Sequence, residues 1–548
     1  MAAAPPSLRM PRLSATFAAV DIGSNSCRLK IARVMAHRLK TLYEDREVTR
    51  LGTSVFDTGL VSPDAMAATL RALKRFQRAV QEHGVDQIRV VATAAMRDAR
   101  NAQAFVIWAK AETGWTIEII SGLEEGRLIH HGVMTNEPGV NGKVMLVDVG
   151  GGSCEITLSE HKRIKDTISL PLGAVRLTQE FIPDDRPSEE GLARMKQFIL
   201  RELRRAHRRI QPGPVPLVIA TSGTAAALSE AQAALVKPEP VAKSRAKTVR
   251  IGPRASKVAG RPGAARQAAL ETTTQQQVRR LATKLRKMNM AERSAVPGIG
   301  PKRAEIIVAG AVVYAELLET FELAGFRYSD LGLRDGILAQ MLAEKDDRAT
   351  AHLQFEQERW ESVLATAKRY GVNLRQAEPV KNHAEQLFRD LDTLHRLPLE
   401  YANWLAAAAM LSETGKFLNH QGHHRHTQYI ISSSEIYGYT MQQRTIISAM
   451  ARYLGKTRPQ PGDRAMRNIA PAEHDNVRKG VVLMRLARAL NQDRASDVLR
   501  VAARVYPKRV LLELQPGRTG AELELWSLRK EADYFREVFG RELFVTLA

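Results

Sequence analysis

Two segments of this chain share one pattern, in which an aspartate ends an apolar run and a turn of small residues follows. They are Asp21-Ile-Gly-Ser-Asn-Ser26, after the run 17–21, and Asp148-Val-Gly-Gly-Gly-Ser153, after the run 143–148. Glycines let the backbone approach a phosphate group closely, and consecutive amides can surround its oxygens. The aspartate is a hard oxygen ligand that suits magnesium bound to phosphates. Each segment alone is usually structural, but the repetition predicts two related phosphate-binding lobes.

The residues around these motifs alternate between strand and helix periodicity. Strands are predicted at 28–34, 87–92, 116–120 and 154–158, and helices at 65–83, 105–112, 124–134, 275–290 and 302–321. A strand, a turn and a second strand, followed by a repeat of that unit, predicts an α/β fold. We expect a first lobe over 17–141 and a second lobe over 142–342.

The rest of the chain has a different pattern. Residues 343–505 read as an almost wholly helical domain, and 506–548 as a small α/β appendage. In the appendage, strands are predicted at 509–515, 521–527 and 543–547, and a helix at 530–538. A chain of 548 residues is too long for one hydrophobic core, so several domains are expected.

The formal net charge of +22 predicts a polyanionic partner, because a basic surface attracts polyanions. Nucleic acid, an anionic membrane surface and a phosphate polymer all satisfy this requirement. Residues 237–267 hold nine Lys/Arg and one Glu, with few large apolar side chains, so 237–269 is predicted to be a flexible basic insertion.

The remaining composition bears on the cellular compartment. The only two cysteines, Cys27 and Cys154, exclude a disulfide framework and fit a reducing cytoplasm. No apolar run approaches the roughly 18–20 residues of a membrane span. Residues 1–16 lack the apolar stretch of a secretory signal and are expected to be disordered. We therefore expect a cytoplasmic protein.

Further segments complete a resemblance to a known family. The two aspartate motifs and six others, in order, resemble the exopolyphosphatase and guanosine pentaphosphate phosphatase family, a branch of the actin-like superfamily. The six are Ala92-Thr-Ala-Ala-Met-Arg97, Ser121-Gly-Leu-Glu-Glu-Gly-Arg-Leu128, Leu170-Pro-Leu-Gly-Ala-Val-Arg-Leu177, Thr221-Ser-Gly-Thr224, Arg303-Ala with Ala309-Gly310, and Gly332-Leu-Arg-Asp-Gly336. The resemblance covers roughly residues 17–342 apart from the insertion, and implies two actin-like, ribonuclease H-like lobes with a cleft between them.

The resemblance also implies an activity and a set of site residues. The activity is hydrolysis of the terminal phosphate of inorganic polyphosphate by a water that Glu125 activates as the base. Asp148 and Glu155 resemble the family's ligands for Mg²⁺ (or Mn²⁺), which neutralises charge on the transferred phosphoryl group. The residues expected to bind the phosphate chain are Asp21, Ser24, Asn25, Thr93, Arg97, Gly150, Gly151, Gly152, Ser153, Ser222, Gly223 and Thr224. Cys27 and Cys154 stand where relatives commonly carry Phe and Thr, and neither is expected to be a catalytic thiol.

Three alternatives remain. Arg28 and Arg303 match positions that contact guanosine tetra- and pentaphosphate in relatives, so the nucleotide can be a substrate or an inhibitor. Val296-Pro-Gly-Ile-Gly-Pro-Lys-Arg-Ala304 mimics a DNA-binding helix-hairpin-helix loop, but the family has an Arg-Ala segment here, so no nucleic acid partner is expected. The phosphate loops also fit an actin-like kinase, although no adenosine pocket is evident beyond Gly332 to Gly336.

The helical half resembles the HD-type domain of longer family members. An active HD hydrolase uses a His-Asp pair as metal ligands, whereas Ser412-Glu413 stands here, so no second metal-dependent hydrolase is predicted. A candidate polyphosphate channel comprises Lys416, His423, His424, Arg425 and His426. Long members of the family are often dimers, so we expect a homodimer.

Overall fold

The computed structural model describes residues 15–137, 139–236, 272–346, 348, 352–455, 457–492, 499–516 and 520–547. By its internal packing the chain divides into two compact units, Met1–His352 and Leu353–Ala548. The basic insertion predicted at 237–269 lies outside the described residues, and so do residues 1–14 of the segment predicted to be disordered.

The first unit begins with a five-stranded sheet of order β3-β2-β1-β4-β5. Its strands are β1 (Thr16–Ile22), β2 (Ser26–Met35), β3 (Arg38–Val48), β4 (Gln87–Ala92) and β5 (Ile117–Ile119). Its helices are α1 (Leu51–Thr58), α2 (Pro63–Glu82), α3 (Ala94–Asp98), α4 (Ala102–Thr113) and α5 (Gly122–Asn136). The centre of the sheet is buried on both faces, since Ala18 and Val20 lie in one core cluster and Phe17 and Ala19 in another. This explains why β1 reads as a continuous apolar run.

A second sheet of order β10-β11-β9-β6-β7-β8 follows. Its strands are β6 (Lys143–Val149), β7 (Cys154–Glu160), β8 (Arg163–Leu170), β9 (Leu217–Thr221), β10 (Thr272–Thr274) and β11 (Gly325–Tyr328). Its helices are α6 (Ala174–Phe181), α7 (Glu189–Ile210), α8 (Ser222–Val236), α9 (Gln275–Leu285), α10 (Met290–Ala295) and α11 (Ile307–Thr320). The duplication predicted from the sequence is confirmed, because both sheets build three antiparallel strands and then add parallel strands beside the first.

The last helix of this unit, α12 (Leu333–Lys345), packs against the first lobe, although it ends the range predicted for the second. Two glycines permit its close approach to α5. A Cβ on Gly336 would overlap the carbonyl oxygen of Leu128, and a Cβ on Gly132 would overlap that of Gly332. The chain therefore returns to the first lobe along a helix contact that no larger residue fits.

The second unit is a helical bundle with a small sheet. Its helices are α13 (His352–Arg369), α14 (Leu374–Asp390), α15 (Asp392–His395), α16 (Glu400–Leu411), α17 (His423–Ser433), α18 (Met441–Arg452), α19 (His474–Ala489) and α20 (Glu522–Phe539). Its strands, β12 (Arg500–Val505), β13 (Arg509–Gln515) and β14 (Glu542–Leu547), form a sheet of order β12-β13-β14. One hydrophobic core joins bundle and sheet, running from Val363 to Phe535.

Two predictions at this end of the chain were wrong. Residues 500–505 form β12 rather than helix, and 521–527 lie almost wholly in α20 rather than in a strand. The second error has a clear cause, because Leu523 and Leu525 alternate with acidic residues as in a half-buried strand. In the helix Leu523 is exposed and Glu524 is buried. Among the described residues, no helix is long and apolar enough to cross a membrane.

Candidate active site

In the second lobe, four polar side chains lie in one row across neighbouring strands. Asp148 of β6 pairs with Thr221 of β9 on one side and with Glu155 of β7 on the other, and Glu155 pairs with Ser169 of β8. Directly paired residues of antiparallel strands point to the same face of a sheet. The Thr221 hydroxyl donates to Oδ2 of Asp148 at 2.5 Å, and the Ser169 hydroxyl donates to Oε1 of Glu155 at 2.7 Å. The carboxylates of Asp148 and Glu155 are thus held side by side by the hydroxyls of Thr221 and Ser169 at the two ends of the row.

In the first lobe, the corresponding row carries opposite charges. Asp21 of β1 pairs with Arg28 of β2, and Arg28 pairs with Arg46 of β3. Nε of Arg28 donates to the Ser26 hydroxyl at 3.3 Å. Nε and Nη2 of Arg46 are buried and make no hydrogen bond to any described residue. This wall therefore presents two guanidinium groups beside one carboxylate.

Glu125 lies in the first turn of α5 and is held by Arg97. Ser121 caps this helix by accepting from the amide of Glu124 at 3.1 Å. Nη1 of Arg97 donates to Oε2 of Glu125 at 2.8 Å and to the carbonyl of Ile120 at 3.0 Å. The Arg97 guanidinium therefore holds the Glu125 carboxylate in a fixed orientation.

The two glycine-containing turns pack directly against each other. A Cβ on Gly151 would lie 3.1 Å from the amide nitrogen of Asn25, and one on Gly152 would lie 2.6 Å from the Ser24 hydroxyl. Within the described chain, the amides of these four residues donate no hydrogen bond. Glycine is needed here so that the turns can meet with their amides free.

The turns and both rows open into one cleft of about 570 Å³ between the lobes. Of the residues predicted to bind phosphate, metal or nucleotide, or to act as base, those that line it are Asp21, Ser24, Asn25, Arg28, Thr93, Glu125, Asp148, Gly150, Gly151, Gly152, Ser153, Ser222, Gly223 and Arg303. Three others lie behind this lining. Arg97 contacts Glu125, Glu155 is 3% exposed beside Asp148, and the Thr224 hydroxyl donates to the carbonyl of Val149 at 3.1 Å.

Burial and mutual repulsion set the ionisation of these carboxyl groups. Burial raises the pKa of Glu125 to about 7, with Arg97 opposing and Asp21 and Asp148 adding to the rise. Burial also raises the pKa of Glu155, and Glu125 raises it further. The pKa values of Asp21 and Asp148 are likewise raised, mainly by burial. Because the aspartates of both lobes raise the pKa of Glu125, and all three residues line the cleft, Glu125 lies where the two walls meet.

Comparison with known proteins identifies the family. Residues 30–345 match the Ppx/GppA phosphatase family, and residues 359–532 match Ppx/GppA phosphatase domain III. This chain belongs to the Ppx/GppA phosphatases. The actin-like α/β fold and the family membership predicted from the motifs are both confirmed.

This Ppx/GppA phosphatase is similar to several solved structures. An exopolyphosphatase from Cytophaga hutchinsonii is 24% identical with a TM-score of 0.52, covering 60% of this chain and 98% of its own. An exopolyphosphatase-like protein is 27% identical with a TM-score of 0.51, covering 59% of this chain and 97% of its own. A Ppx/GppA family member from Aquifex aeolicus is 29% identical with a TM-score of 0.48, covering 61% and 99%.

Several cleft residues of this Ppx/GppA phosphatase were not predicted from its sequence. Arg46 and Arg334 join Arg28 and Arg303 in the cleft, so four arginines from separate segments of the chain line it. Burial lowers the pKa of Arg46 to about 10, and Arg28 and Arg334 contribute by repulsion. Burial likewise lowers the pKa of Arg303 to about 10, with repulsion from Arg46 and Arg28. Such crowding of cations indicates a site for a polyanion. The pairing of Arg46 with Arg28 is visible only once β3 is recognised.

The segment that mimics a helix-hairpin-helix loop supplies one of these arginines. Residues 296–306 form successive turns between α10 and α11, with Gly298 and Gly300 in the left-handed region at φ 83° and 61°. The helix predicted to begin at 302 therefore begins at Ile307. The Arg303 side chain packs on Gly223, where a Cβ would overlap the guanidinium.

The residues predicted to form a polyphosphate channel do not share one environment in the second unit. His423 is buried, His424 and His426 are partly buried, and Arg425 is exposed. Lys416 forms an ion pair with Glu413.

Proposed function

We propose that this Ppx/GppA phosphatase is an exopolyphosphatase, which hydrolyses the terminal phosphate of inorganic polyphosphate. One observation carries the proposal. A single cleft is lined by Asp148, which is paired with Glu155 behind it, by four arginines contributed by both lobes, and by the buried Glu125. The arginines suit a chain of phosphates that extends beyond the group being transferred, because each phosphate brings further negative charge.

The carboxylates of the second lobe fit a divalent cation, Mg²⁺ (or Mn²⁺). Asp148 and Glu155 supply hard oxygen atoms on one face of the sheet, and Oε2 of Glu155 is buried without a hydrogen-bond partner among the described residues. The structure describes no group of three or more His, Cys, Asp or Glu side chains that could hold a metal. Two carboxylates completed by substrate phosphates and water match the way Mg²⁺ is usually bound. When bound, the cation would neutralise charge on the phosphoryl group and the leaving oxygen.

Glu125 is the proposed base. Its carboxylate is oriented by Arg97, and its pKa of about 7 is close to that of an efficient base at neutral pH. In the proposed reaction, Glu125 orients a water in line with the terminal phosphorus. It accepts a proton from this water as the new P–O bond forms and the bond to the leaving phosphate oxygen breaks.

The free amides of the two turns are the proposed cradle for the terminal phosphate. Ser24, Asn25, Gly151 and Gly152 bring amides from both lobes to one place, as in other anion-binding turns. The hydroxyls of Ser222 and Thr224, which were predicted to bind phosphate, both donate to the carbonyl oxygen of Val149 instead. We therefore propose that these two residues shape the turn, while the amides bind the phosphate.

Hydrolysis of guanosine pentaphosphate is the second candidate, favoured by the position of Tyr328. This tyrosine lines the cleft, and Arg28 and Arg303 are both close enough to lower its pKa against the larger effect of burial, which raises it. An aromatic ring that lines the same cleft as two arginines suits a nucleotide better than a plain phosphate chain.

Phosphate release from long polyphosphate and from guanosine pentaphosphate, each at matched Mg²⁺, separates the two candidates. We expect a higher kcat/KM for polyphosphate. A higher kcat/KM for the nucleotide would transfer the proposal to the second candidate, and no release from either would end both. Tyr328→Ala should weaken nucleotide turnover and leave polyphosphate turnover within about twofold, since only the nucleotide has a base to stack. The cytoplasmic location and the homodimer stay predictions.

A further inference from the structure

A second polar cavity, of about 50 Å³, lies inside the C-terminal unit. Its walls come from α14, the turn after α16, the first residue of α17 and the end of α19, and they include Glu413, His423 and Arg488. One buried water needs roughly 10–15 Å³, so this space holds a few waters or one small tetrahedral ion. Nothing in the proposed hydrolysis uses it.

His423 is a wall residue with an unused polar atom. It is 8% exposed, and its Nδ1 is buried without a hydrogen-bond partner among the described residues. The ring of His424, whose Nδ1 is in the same condition, lies 3.8 Å from that of His423. Buried polar atoms in proteins almost always have a partner, so this nitrogen is suited to a ligand that enters the cavity.

The charges around His423 decide the class of ligand. Burial, together with repulsion from Arg488 and Lys416, lowers the pKa of His423 to about 4. Glu413 opposes them, but it is already ion-paired with Lys416. An entering cation would meet the same repulsion that disfavours a protonated His423, whereas an anion would be attracted.

The helix that begins at His423, α17, also favours an anionic ligand. Its N-cap, Gly422, is in the left-handed region at φ 64° and provides no side-chain cap. The first turn of a helix carries a partial positive charge and free amides, which attract anions. Three separate features of this cavity thus favour an anionic ligand. They are a neutral imidazole with a free nitrogen, an arginine and the N-terminus of a helix.

We propose that this cavity binds a tetrahedral oxyanion of the phosphate type through His423, Arg488 and the N-terminus of α17. The ligand is either free inorganic phosphate or the terminal phosphate of a polyphosphate chain, which present the same oxygens. The proposal is independent of hydrolysis in the cleft between the lobes, since it rests on residues of the second unit alone.

The direct test is a crystal of the full chain soaked in selenate, with an anomalous difference map. We expect a selenium peak at about 4–5 Å from Nδ1 of His423, since the Se–O bond separates selenium from a hydrogen-bonded oxygen. The peak should persist in Arg389→Met, which changes an exposed arginine of α14 that does not line the cavity, and disappear in His423→Phe and Arg488→Met. An empty cavity when selenate occupies the interlobe cleft, or a peak that survives both cavity variants, would overturn the proposal.

Calorimetric titration of the full chain distinguishes the two sources of phosphate. With inorganic phosphate or tripolyphosphate as the probe, we expect one binding event that Arg488→Met weakens about tenfold or more and Arg389→Met leaves unchanged. Tighter binding of tripolyphosphate in this event identifies a chain end as the ligand, and equal or weaker binding identifies free phosphate. If neither probe binds more weakly to the folded Arg488→Met and His423→Phe variants, the cavity is not an anion site.

Discussion

Glu155 of the second lobe occupies the register position that Arg28 occupies in the first. Each residue lies directly opposite the aspartate at the second-last position of the first strand of its lobe, across one antiparallel strand pair. The duplicated lobes therefore present opposite charges at equivalent points of one cleft. This exchange of charge underlies the proposed division of labour, in which one wall holds a cation and the other holds the phosphate chain.

Replacing Glu155 with Gln should abolish most of the thermal stabilisation by Mg²⁺. A ligand that binds only the folded state at about 100 times its Kd stabilises it by about 2.7 kcal/mol, and this gain requires the carboxylate. Differential scanning fluorimetry with and without Mg²⁺ measures the shift in Tm. The control is Glu160→Gln, at the far end of β7, which should keep the wild-type shift. An undiminished shift in Glu155→Gln would remove this residue from the metal site.

Replacing Arg46 with Gln should raise the KM for polyphosphate about tenfold and change kcat little. Two nitrogens of Arg46 are buried without partners, and a charged contact to phosphate is expected to contribute about 1.4 kcal/mol or more. Steady-state phosphate release at fixed ionic strength gives both constants. Arg38→Gln, at the exposed start of β3, removes the same charge and should leave KM unchanged. Equal effects of the two variants would mean that Arg46 acts only through net charge.

The pH profile should reveal the pairing of Arg97 with Glu125. A base must be ionised, so kcat should fall as pH falls through the pKa of Glu125, which is about 7 in the unliganded site. A bound divalent cation lowers this pKa, so the profiles must be compared at the same Mg²⁺ concentration. Arg97 lowers the pKa of Glu125, and its removal should therefore shift the acid limb to higher pH. Arg97→Gln should show this shift and Arg97→Lys a smaller one. Acid limbs that coincide in the wild type, Arg97→Gln and Arg97→Lys would contradict the pairing of Arg97 with Glu125.

Replacing Gly336 with Ala should destabilise the first unit by about 1–3 kcal/mol or more, because the added methyl would overlap the Leu128 carbonyl. Gly332→Ala, at the N-cap of the same helix, is the matched control, because a Cβ there would meet no atom within 4 Å and the residue has an extended φ of −174°. Urea denaturation at equilibrium compares the two variants. Equal stability would show that α12 does not pack on α5 as described.

The sequence allowed prediction of those elements whose environment is uniform along the chain. β4 was predicted with its observed ends, because its apolar residues Val90, Val91 and Ala92 are buried between two neighbouring strands, β1 and β5. β3 was missed, because it lies at the sheet edge and mixes charged with half-buried side chains. That omission also concealed Arg46, whose place beside Arg28 depends on strand register rather than on any local motif.

Within the site, the sequence motifs predicted which residues line the cleft better than they predicted which side chains contact one another. The residues of both turns do meet in one cleft, as their repetition indicated. The link between Arg97 and Glu125 could not be predicted, because Arg97 read as a ligand for phosphate and 28 positions separate the two residues. Hydroxyl partners such as Ser169 belong to strands far along the chain, so only the folded sheet brings them to the carboxylates.

The most direct measurement is phosphate release from long polyphosphate by Glu125→Gln at saturating Mg²⁺. We predict that kcat falls about 10²–10⁴-fold while KM stays within a few-fold, since removing a positioned base impairs the chemical step alone. Glu124→Gln is the neighbouring control, because Glu124 is paired with Arg127 at 2.8 Å and does not line the cleft. It should keep near-normal turnover per folded molecule. Near-normal turnover in Glu125→Gln would contradict the central claim.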